Sequence, residues 1–280
     1  MEPFQYQDGA VPYLTLPIWE KKFPHLIVGM SARRPTDEDN GYAWNYALHV
    51  EDNPTHVIEN RVKLMDMLNL PISSWTCGEQ VHGTHIHEVT KEEGGRGSTS
   101  QKTAFANTDG LLTCQENLLL TSFYADCVPL IFYSPATGWL GIAHAGWRGT
   151  TSGIASQMVR QLVQRGAVPE EIYVAIAPSI GGCCYEVDEP VIKALTQILV
   201  RPSEKVVKPA GRGKWKLDLR QANREILLNE GIRPEHLLVT QLCTSCRADL
   251  FYSYRRDRGK VGRMVAWIGR RKDRNKIWSV

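Results

Sequence analysis

The apolar residues of this chain fall into short runs, separated by longer stretches with a helical period. Short and nearly continuous apolar runs predict buried strands, whereas apolar residues at every third or fourth position predict amphipathic helices. The predicted strands are 26–30, 118–124, 128–133, 140–143, 172–177, 237–241 and 265–268.

Four segments predict helices. Asn53 directly precedes Pro54, a pairing of N-cap and first helical residue that favours a helix start. The second helix has apolar residues at every fourth position over 154–162, and it is expected to end at Gly166. The predicted helices begin at Asn53, near Thr150, at Asp188 and at Asp218.

Helices and strands that mix without a strict βαβ rhythm predict an α/β (α+β) fold. We expect a mixed-sheet sandwich with flanking helices, formed as a single catalytic domain over residues 1–280. Two stretches rich in glycine, proline and polar residues, 93–100 and 201–214, are predicted to be exposed loops within that domain.

Composition excludes some classes of function. The chain has 280 residues, 22% of them charged, and its formal net charge of +3 gives no support for binding nucleic acid or an anionic membrane. Residues 270–280 are locally basic and are predicted to be a solvated tail. No apolar run approaches the roughly 20 residues that a membrane-spanning helix needs. The N-terminus lacks the features of a secretory signal, so a cytoplasmic location is expected.

The seven cysteines are then expected to be free thiols or metal ligands rather than disulfides. Cys243 and Cys246 have the spacing of a redox motif, but they precede a strand-like stretch, so we interpret them as a structural pair. Cys183 and Cys184 are adjacent, and a disulfide between neighbours is strained.

Two histidines and one cysteine lie in short segments flanked by small residues: His82, Cys127 and His144. Two imidazoles and a thiolate suit zinc, and three protein ligands leave a fourth position open for a reactant. Each residue also has an ordinary structural interpretation. His144 is a candidate for a buried histidine bonded to backbone, Cys127 for a small buried hydrophobic residue, and His82 for part of a surface strand.

The surroundings of these three residues refine the hypothesis. His144 is predicted to sit where strand 140–143 ends, ahead of a glycine-containing turn in which Arg148 could hold an anion. If the segment around Cys127 is extended, Asp126 points to the opposite face. His85 and His87 follow His82, and strand alternation predicts that these three histidines do not all bind one ion.

Six sequence blocks occur in this order: 80–83 (QVHG), 107–110 (NTDG), 125–129 (ADCVP), 144–149 (HAGWRG), 183–187 (CCYEV) and 252–257 (YSYRRD). In these blocks the chain resembles the multicopper polyphenol oxidoreductase or laccase-domain family, whose members are now described as purine nucleoside phosphorylases. The resemblance covers about 26–268. It is weaker at 31–34 and 44–47, where the family's serine-arginine lead-in and Asn-Leu-Gly turn are not found.

The resemblance implies a zinc site formed by His82, Cys127 and His144. It also implies phosphorolysis of adenosine, inosine, guanosine and methylthioadenosine, together with deamination of adenosine. Zinc lowers the pKa of a water to about 7 and so supplies the hydroxide that deamination needs. Asp126 or Glu186 could then carry the proton.

The substrates would be purine nucleosides and phosphate, and the formation of homo-oligomers stays open. By charge type, the candidates for holding phosphate are Arg33, Arg148 and Arg255. One alternative is a copper-dependent polyphenol oxidase, with Cu²⁺ replacing Zn²⁺ at the same ligands. Multicopper chemistry needs further ligand sets, however, and the remaining histidines lie in unrelated stretches: His25, His49, His56 and His236. A non-enzymatic metal-binding protein is the other alternative.

Overall fold

The computed structural model describes residues 1–34 and 41–271. Within them, the α-helices are α1 Pro17–Lys22, α2 Pro54–Met67, α3 Trp147–Thr151, α4 Ile154–Val163, α5 Glu189–Ile198 and α6 Leu219–Asn229. The strands are β1 Gln5–Gln7, β2 Tyr13–Thr15, β3 Leu26–Ser31, β4 Trp75–Cys77, β5 Ile86–Glu88, β6 Gly110–Thr113, β7 Leu119–Tyr124, β8 Val128–Tyr133, β9 Leu140–Ala145, β10 Tyr173–Ile176, β11 Glu186–Asp188, β12 Val207–Gly211, β13 Lys214–Leu217, β14 Leu237–Val239 and β15 Met264–Arg270.

The strands form three sheets. A first six-stranded sheet has the order β1-β2-β3-β15-β7-β4, and a second has the order β14-β10-β8-β9-β6-β5. A small sheet, β11-β13-β12, lies apart from both. Most neighbours are antiparallel, but β4 with β7, β5 with β6, and β10 with β14 are parallel. The sheets are therefore mixed, and the predicted α/β (α+β) class is confirmed.

Side-chain alternation shows how the layers stack. In β7, Leu120 and Tyr124 belong to a core between the first and second sheets, while Leu119 and Phe123 pack in a separate core with α2. Alternate residues of a strand point to opposite faces of its sheet, so the first sheet is covered on both sides. β7 is therefore buried along its whole length rather than at alternate residues.

The second sheet repeats this arrangement. In β8, Ile131 and Tyr133 face the first sheet, while Leu130 and Phe132 pack with Met158 of α4 in the core beneath the helices. The result is a sandwich of two sheets with a helical layer on each outer side, as the apolar pattern predicted.

The helix starts follow the sequence signals closely. The Asn53 side chain accepts the N–H of Thr55 at 3.0 Å, which caps α2, and Asp218 accepts the N–H of Arg220 at 3.0 Å at the start of α6. The predicted helix from Thr150 to Gly166 is wrong as a single element. Gly153 adopts φ 83° and separates α3 from α4, because a left-handed residue cannot continue a helix.

The two predicted loops also differ from expectation. Stretch 201–214 contains β12 and the first residue of β13, which form a hairpin joined through positive-φ residues that include two glycines. Stretch 93–100 is mostly half-buried, and Gly97 and Ser98 within it are buried. Glycine-rich composition therefore marked a tight turn in one case and a close packing contact in the other.

Arg61 explains why residues 97 and 98 are buried. Its side chain is fully buried, and its guanidinium donates to the carbonyl oxygens of Tyr46 at 2.7 Å, Gly97 at 2.6 Å and Ser98 at 2.8 Å. The guanidinium also lies over the Trp75 ring, 4.9 Å from its centroid. One side chain from α2 thus satisfies three buried backbone acceptors.

Replacing Arg61 with methionine is expected to lower the free energy of unfolding by about 3 kcal/mol or more, because three buried carbonyls lose their charged donor. Urea unfolding followed by circular dichroism measures the loss. Lys63→Met, on the exposed side of the same helix, is the control and should change stability by less than about 0.5 kcal/mol. Equal stability of the two variants would contradict this assignment.

None of the helices in the described part of the chain is long and apolar enough to cross a bilayer. The cytoplasmic location stays a prediction. The predicted solvated tail is wrong at its first two residues, because Arg270 ends β15 and the Arg271 guanidinium donates to the carbonyl oxygen of Leu68 at 2.9 Å. Residues 272–280 lie outside the described residues, so the rest of the tail stays a prediction.

Candidate metal centre

Two of the three predicted ligands lie on connections that cross between the two large sheets, and the third lies near the end of a strand. His82 is on the connection from β4 in the first sheet to β5 in the second. Cys127 is on the connection from β7 in the first sheet to β8 in the second. His144 belongs to β9, on the face that also carries Ile142 and packs toward the first sheet. The fold therefore brings the three segments to one place.

The ligand atoms of His82, Cys127 and His144 all lie within 4.8 Å of one another. Cys127 Sγ is 4.0 Å from His82 Nε2, and the two imidazole rings meet edge to face with centroids 4.8 Å apart. A tetrahedral zinc ion with ordinary bond lengths separates its sulfur and nitrogen ligands by about 3.6 Å. The donor types and their spacing therefore fit zinc with only small adjustments.

Exposure rises across the three residues. His144 is buried, Cys127 is half-buried and His82 is exposed. An ion held by them would be surrounded by protein on the His144 side and accessible on the His82 side. Such an arrangement is typical of catalytic metal sites, in which one position is kept for a water or substrate.

Asp109 supports two of the ligands at once. Its carboxylate accepts the backbone N–H groups of Val81 at 3.1 Å, His82 at 3.0 Å and Gly83 at 2.7 Å. It also bonds to Nδ1 of His144 at 2.8 Å, which leaves Nε2 of that ring to face the other ligands. The same bonds hold His82 in its left-handed conformation, φ 62°. Ligating histidines commonly have a carboxylate in this supporting role.

Electrostatics favour a charged site even without an ion. Burial would raise the pKa of the Cys127 thiol, but the charge of His144 and hydrogen bonds from His144 and His82 lower that pKa to about 6. Burial would lower the pKa of His144, but the Cys127 thiolate and the hydrogen bond to Asp109 raise it to about 9. The cysteine is therefore held as the thiolate, which is the form that binds metals.

Gly146 allows the ligands to approach this closely. A Cβ at that position would lie 3.0 Å from Cδ2 of His82 and 3.1 Å from Cys127 Sγ. Any larger residue would push at least one of these two ligands outward, which accounts for the glycine two positions after His144.

Several local predictions need correction. β9 runs to Ala145, so His144 lies inside the strand rather than beyond its end. The segment before Cys127 is a turn rather than an extended strand, because Asp126 has φ 92°. The expectation that three histidines of one segment do not share an ion agrees with the structure. His87 bonds to Glu93 at 3.2 Å, and His85 lies outside the metal-ligand group.

A cavity of about 500 Å³ opens beside the three ligands. Arginine and aromatic side chains form much of its wall: Trp147, Arg148, Tyr185, Tyr254, Arg255 and Arg263. Of the three predicted phosphate-binding arginines, Arg148 and Arg255 lie on this wall. Arg33 is not among the lining residues, and its guanidinium lies 5.1 Å from the centroid of the Tyr252 ring.

Arg263 and His49 are among the lining residues that the sequence did not predict. Arg263 directly precedes β15, the neighbour of β7, and that position beside the Cys127 connection could have marked it. His49 was placed in an unrelated stretch, yet it borders the cavity and packs edge-on against Phe123, with ring centroids 5.8 Å apart. No local pattern in the sequence links His49 to the site.

The two predicted proton carriers occupy different surroundings. Asp126 accepts the hydroxyl of Thr244 at 2.6 Å, the hydroxyl of Ser253 at 3.1 Å and the N–H of Arg255 at 2.7 Å. Those bonds fix the turn that carries Cys127. Glu186 lies outside the cavity lining, and its carboxylate is 3.5 Å from Nζ of Lys216.

Comparison with known proteins decides the family. A family model described as multi-copper polyphenol oxidoreductase laccase matches residues 29–271. The chain belongs to this family. The matched span agrees with the resemblance seen in the sequence blocks, which covers about 26–268.

Named relatives in the family include two bacterial enzymes. A purine nucleoside phosphorylase called YlmD, from Geobacillus stearothermophilus, is 43% identical over 253 residues, covering 90% of this chain and 92% of that protein. A Bacillus subtilis protein of the same name is 40% identical over 226 residues, covering 80% of this chain and 81% of that protein. The crystal structure of Geobacillus stearothermophilus YlmD has a TM-score of 0.90 and 41% identity, and it covers 97% of this chain and 100% of that one.

Proposed function

We propose that this protein is a zinc-dependent purine nucleoside phosphorylase. Its substrates would be adenosine, inosine, guanosine and methylthioadenosine, with phosphate as the second substrate, and it would also deaminate adenosine. The observation that carries the proposal is the meeting of His82, Cys127 and His144 beside a cavity lined with arginines. The 43% identity to a protein named purine nucleoside phosphorylase supports the choice of reaction.

His82 Nε2, Cys127 Sγ and His144 Nε2 would hold the ion, and Asp109 would keep the His144 ring in the correct orientation. An ion held by these three residues would supply Lewis-acid chemistry next to the cavity, with one coordination position left open. The residues of the chain supply the remaining parts of the site, which are charge for the phosphate and surface for the base.

Phosphorolysis joins a phosphate oxygen to C1′ of the ribose while the bond from C1′ to the purine nitrogen breaks. The attacking anion needs positive charge, and the cavity offers Arg148, Arg255 and Arg263. Arg148 makes no ion pair or side-chain hydrogen bond with the described residues, and its guanidinium lies 4.4 Å from the centroid of the Trp147 ring. It is the best placed of the three to bind phosphate.

The purine would lie against the aromatic part of the wall, where Tyr185 and Tyr254 are found. Aromatic side chains bind the flat faces of bases by stacking. Deamination uses the same bound base: a water adds at C6 and ammonia leaves, so that adenosine becomes inosine. Because Asp126 is engaged in three hydrogen bonds, we assign it to positioning Cys127 rather than to proton transfer.

The proposal is tested by phosphate-dependent release of hypoxanthine from inosine. Protein stripped with a chelator is expected to lose the activity and to regain it on addition of zinc. Phosphate omission should abolish release in every sample. If only copper-loaded protein is active, and then only as an oxidase of phenols, the alternative of a copper-dependent polyphenol oxidase replaces this proposal.

A second candidate mechanism, in which the Cys127 thiolate acts as a nucleophile without a metal, is favoured by one observation. Cys127, His144 and Asp109 form a chain of thiolate, imidazole and carboxylate that resembles a cysteine nucleophile with its base. A nucleophilic thiol would act without metal and would be inactivated by iodoacetamide in the chelated protein. The metal-centre proposal predicts instead that the chelated protein is inactive before any alkylation.

Replacing Asp109 with asparagine is expected to weaken zinc binding about 10–100-fold, because the supporting carboxylate loses its charge and part of its hydrogen bonding. Competition with a chromophoric zinc chelator measures the affinity. Asp249→Asn, which alters an exposed pair with Arg247, is the matched control and should bind zinc like the unaltered protein. Unchanged affinity in Asp109→Asn would show that the carboxylate does not support the ligands.

A further inference from the structure

Four cysteines meet beyond the ends of two neighbouring parallel strands. Cys183 and Cys184 follow β10, and Cys243 and Cys246 follow β14, the strand that pairs with β10 in parallel. A bridge between Ser179 and Cys243 continues this pairing past the strand ends. The four residues are called the cysteine cluster below.

The sulfur atoms of the cysteine cluster all lie within 4.8 Å of one another. Sγ of Cys246 is 3.3 Å from Sγ of Cys184 and 3.6 Å from Sγ of Cys183. Four thiolates around one zinc ion, at the usual Zn–S bond length, lie about 3.8 Å apart. The spacing of the cluster is therefore close to that of a tetrahedral zinc–thiolate site.

Hydrogen bonds from the surrounding backbone favour a negative sulfur at one member of the cluster, Cys243. Cys243 Sγ accepts the N–H of Gly181 at 3.2 Å and the N–H of Cys246. The buried guanidinium of Arg220 interacts electrostatically with Cys183 and Cys243. Thiolate ligands of metals are commonly supported by such donors and cations, because four thiolates with one zinc ion carry net negative charge.

Arg220 also ties the two cysteine-bearing loops together. It donates to the carbonyl oxygen of Leu242 at 3.0 Å and pairs with Asp218 at 2.7 Å, and the N–H of Gly182 donates to Asp218 at 3.3 Å. The loops are thus held at a fixed separation by groups other than the sulfurs, so the cluster does not depend on a disulfide for its shape.

We infer that the cysteine cluster binds a structural zinc ion through the four thiolates of Cys183, Cys184, Cys243 and Cys246. Four protein ligands close the coordination sphere, which distinguishes this site from the three-ligand centre beside the cavity. Two exposed members, Cys183 and Cys246, leave a path for the ion to enter. This inference does not depend on the proposed enzymatic activity.

An ion bound by the cysteine cluster would join two loops that lead to the cavity wall. The loop after β10 continues to Ile180 and Tyr185 of the cavity wall, and the loop after β14 leads to Tyr254 and Arg255. Thr244, between the two cysteines of the second loop, donates to Asp126 in the Cys127 turn. An ion joining these loops would stabilise one side of the cavity.

Elemental analysis of protein purified without added metal tests the inference. The unaltered chain is expected to hold about two zinc ions, and His144→Ala about one, because only the three-ligand centre is lost. The double variant Cys184→Ser/Cys246→Ser should also hold about one. It should melt about 5 °C or more below the unaltered protein, since metal binding contributes to folding.

Cys114→Ser is the matched control, because Cys114 is a free cysteine outside both groups of ligands. It is expected to keep both zinc ions and its melting temperature. The inference is overturned if His144→Ala holds no zinc and its cluster cysteines resist alkylation until a reductant is added, which would indicate disulfides. Iron with acid-labile sulfide in place of zinc would overturn it as well.

X-ray absorption at the zinc edge gives a readout that does not require altering the cluster. In the double variant His82→Ala/His144→Ala, zinc should show a shell of four sulfurs at about 2.3 Å. A shell of oxygen and nitrogen atoms would mean that the remaining zinc is bound elsewhere. Because these variants remove the proposed catalytic centre, the outcome for the cluster is independent of whether the enzymatic proposal holds.

Discussion

Replacing His144 with alanine is expected to lower kcat/KM for inosine phosphorolysis at least about a hundredfold. His144 is the buried member of the three proposed ligands, and it connects them to Asp109. Loss of a group that merely supports a ligand costs about 10–100-fold in activity or metal affinity, so loss of the ligand itself should cost more. Steady-state kinetics, with the zinc content of the same sample, measures both effects.

His85→Ala is the matched control, because His85 is an exposed histidine near His82 that lies outside the ligand group. Its kinetics and zinc content should equal those of the unaltered protein. If His144→Ala retains full turnover while it is correctly folded, the proposed metal centre plays no part in catalysis.

Replacing Arg148 with methionine is expected to raise KM for phosphate about 10–100-fold. A hydrogen bond to a charged group contributes about 1.5–3 kcal/mol, and each 1.4 kcal/mol corresponds to a factor of ten. KM for inosine should change much less, because the nucleoside contacts other parts of the wall. Initial rates measured over a matrix of phosphate and inosine concentrations separate the two constants.

The control for this variant is Arg160→Met, on the exposed face of α4, which removes the same charge from a residue outside the cavity lining. It should leave both Michaelis constants unchanged. An equal rise in KM for phosphate in both variants would point to a general effect of net charge and not to a phosphate site at Arg148.

The sequence predicted the main strands and helices of the layers well, because apolar runs and helix caps are local patterns. The apolar runs at 118–124 and 128–133 correspond closely to β7 and β8, and the Asn53 and Asp218 caps mark the starts of α2 and α6. Such patterns depend on neighbours a few residues apart. The short strands β4 and β5, which position the His82 segment, carry too few residues for a period to be recognised.

Long-range pairing could not be predicted in the same way. Cys127 and His82 are 45 residues apart, and Asp109 and His144 are 35 apart. Their meeting depends on where the chain crosses between the sheets, which no local pattern records. The cysteine cluster shows the same limit: Cys184 and Cys246 are 62 residues apart and were interpreted separately. The sequence blocks pointed to His82, Cys127 and His144 as candidate ligands through family resemblance, whereas Asp109 and Arg263 required the fold.

The proposed chemistry depends on the binding of one metal ion by His82, Cys127 and His144 together. Zinc-edge X-ray absorption of Cys184→Ser/Cys246→Ser tests it most directly, because the cysteine cluster no longer contributes to the signal. We expect a shell of two histidine nitrogens at about 2.0–2.1 Å and one sulfur at about 2.3 Å. A shell without sulfur, or without imidazole scattering, would contradict it.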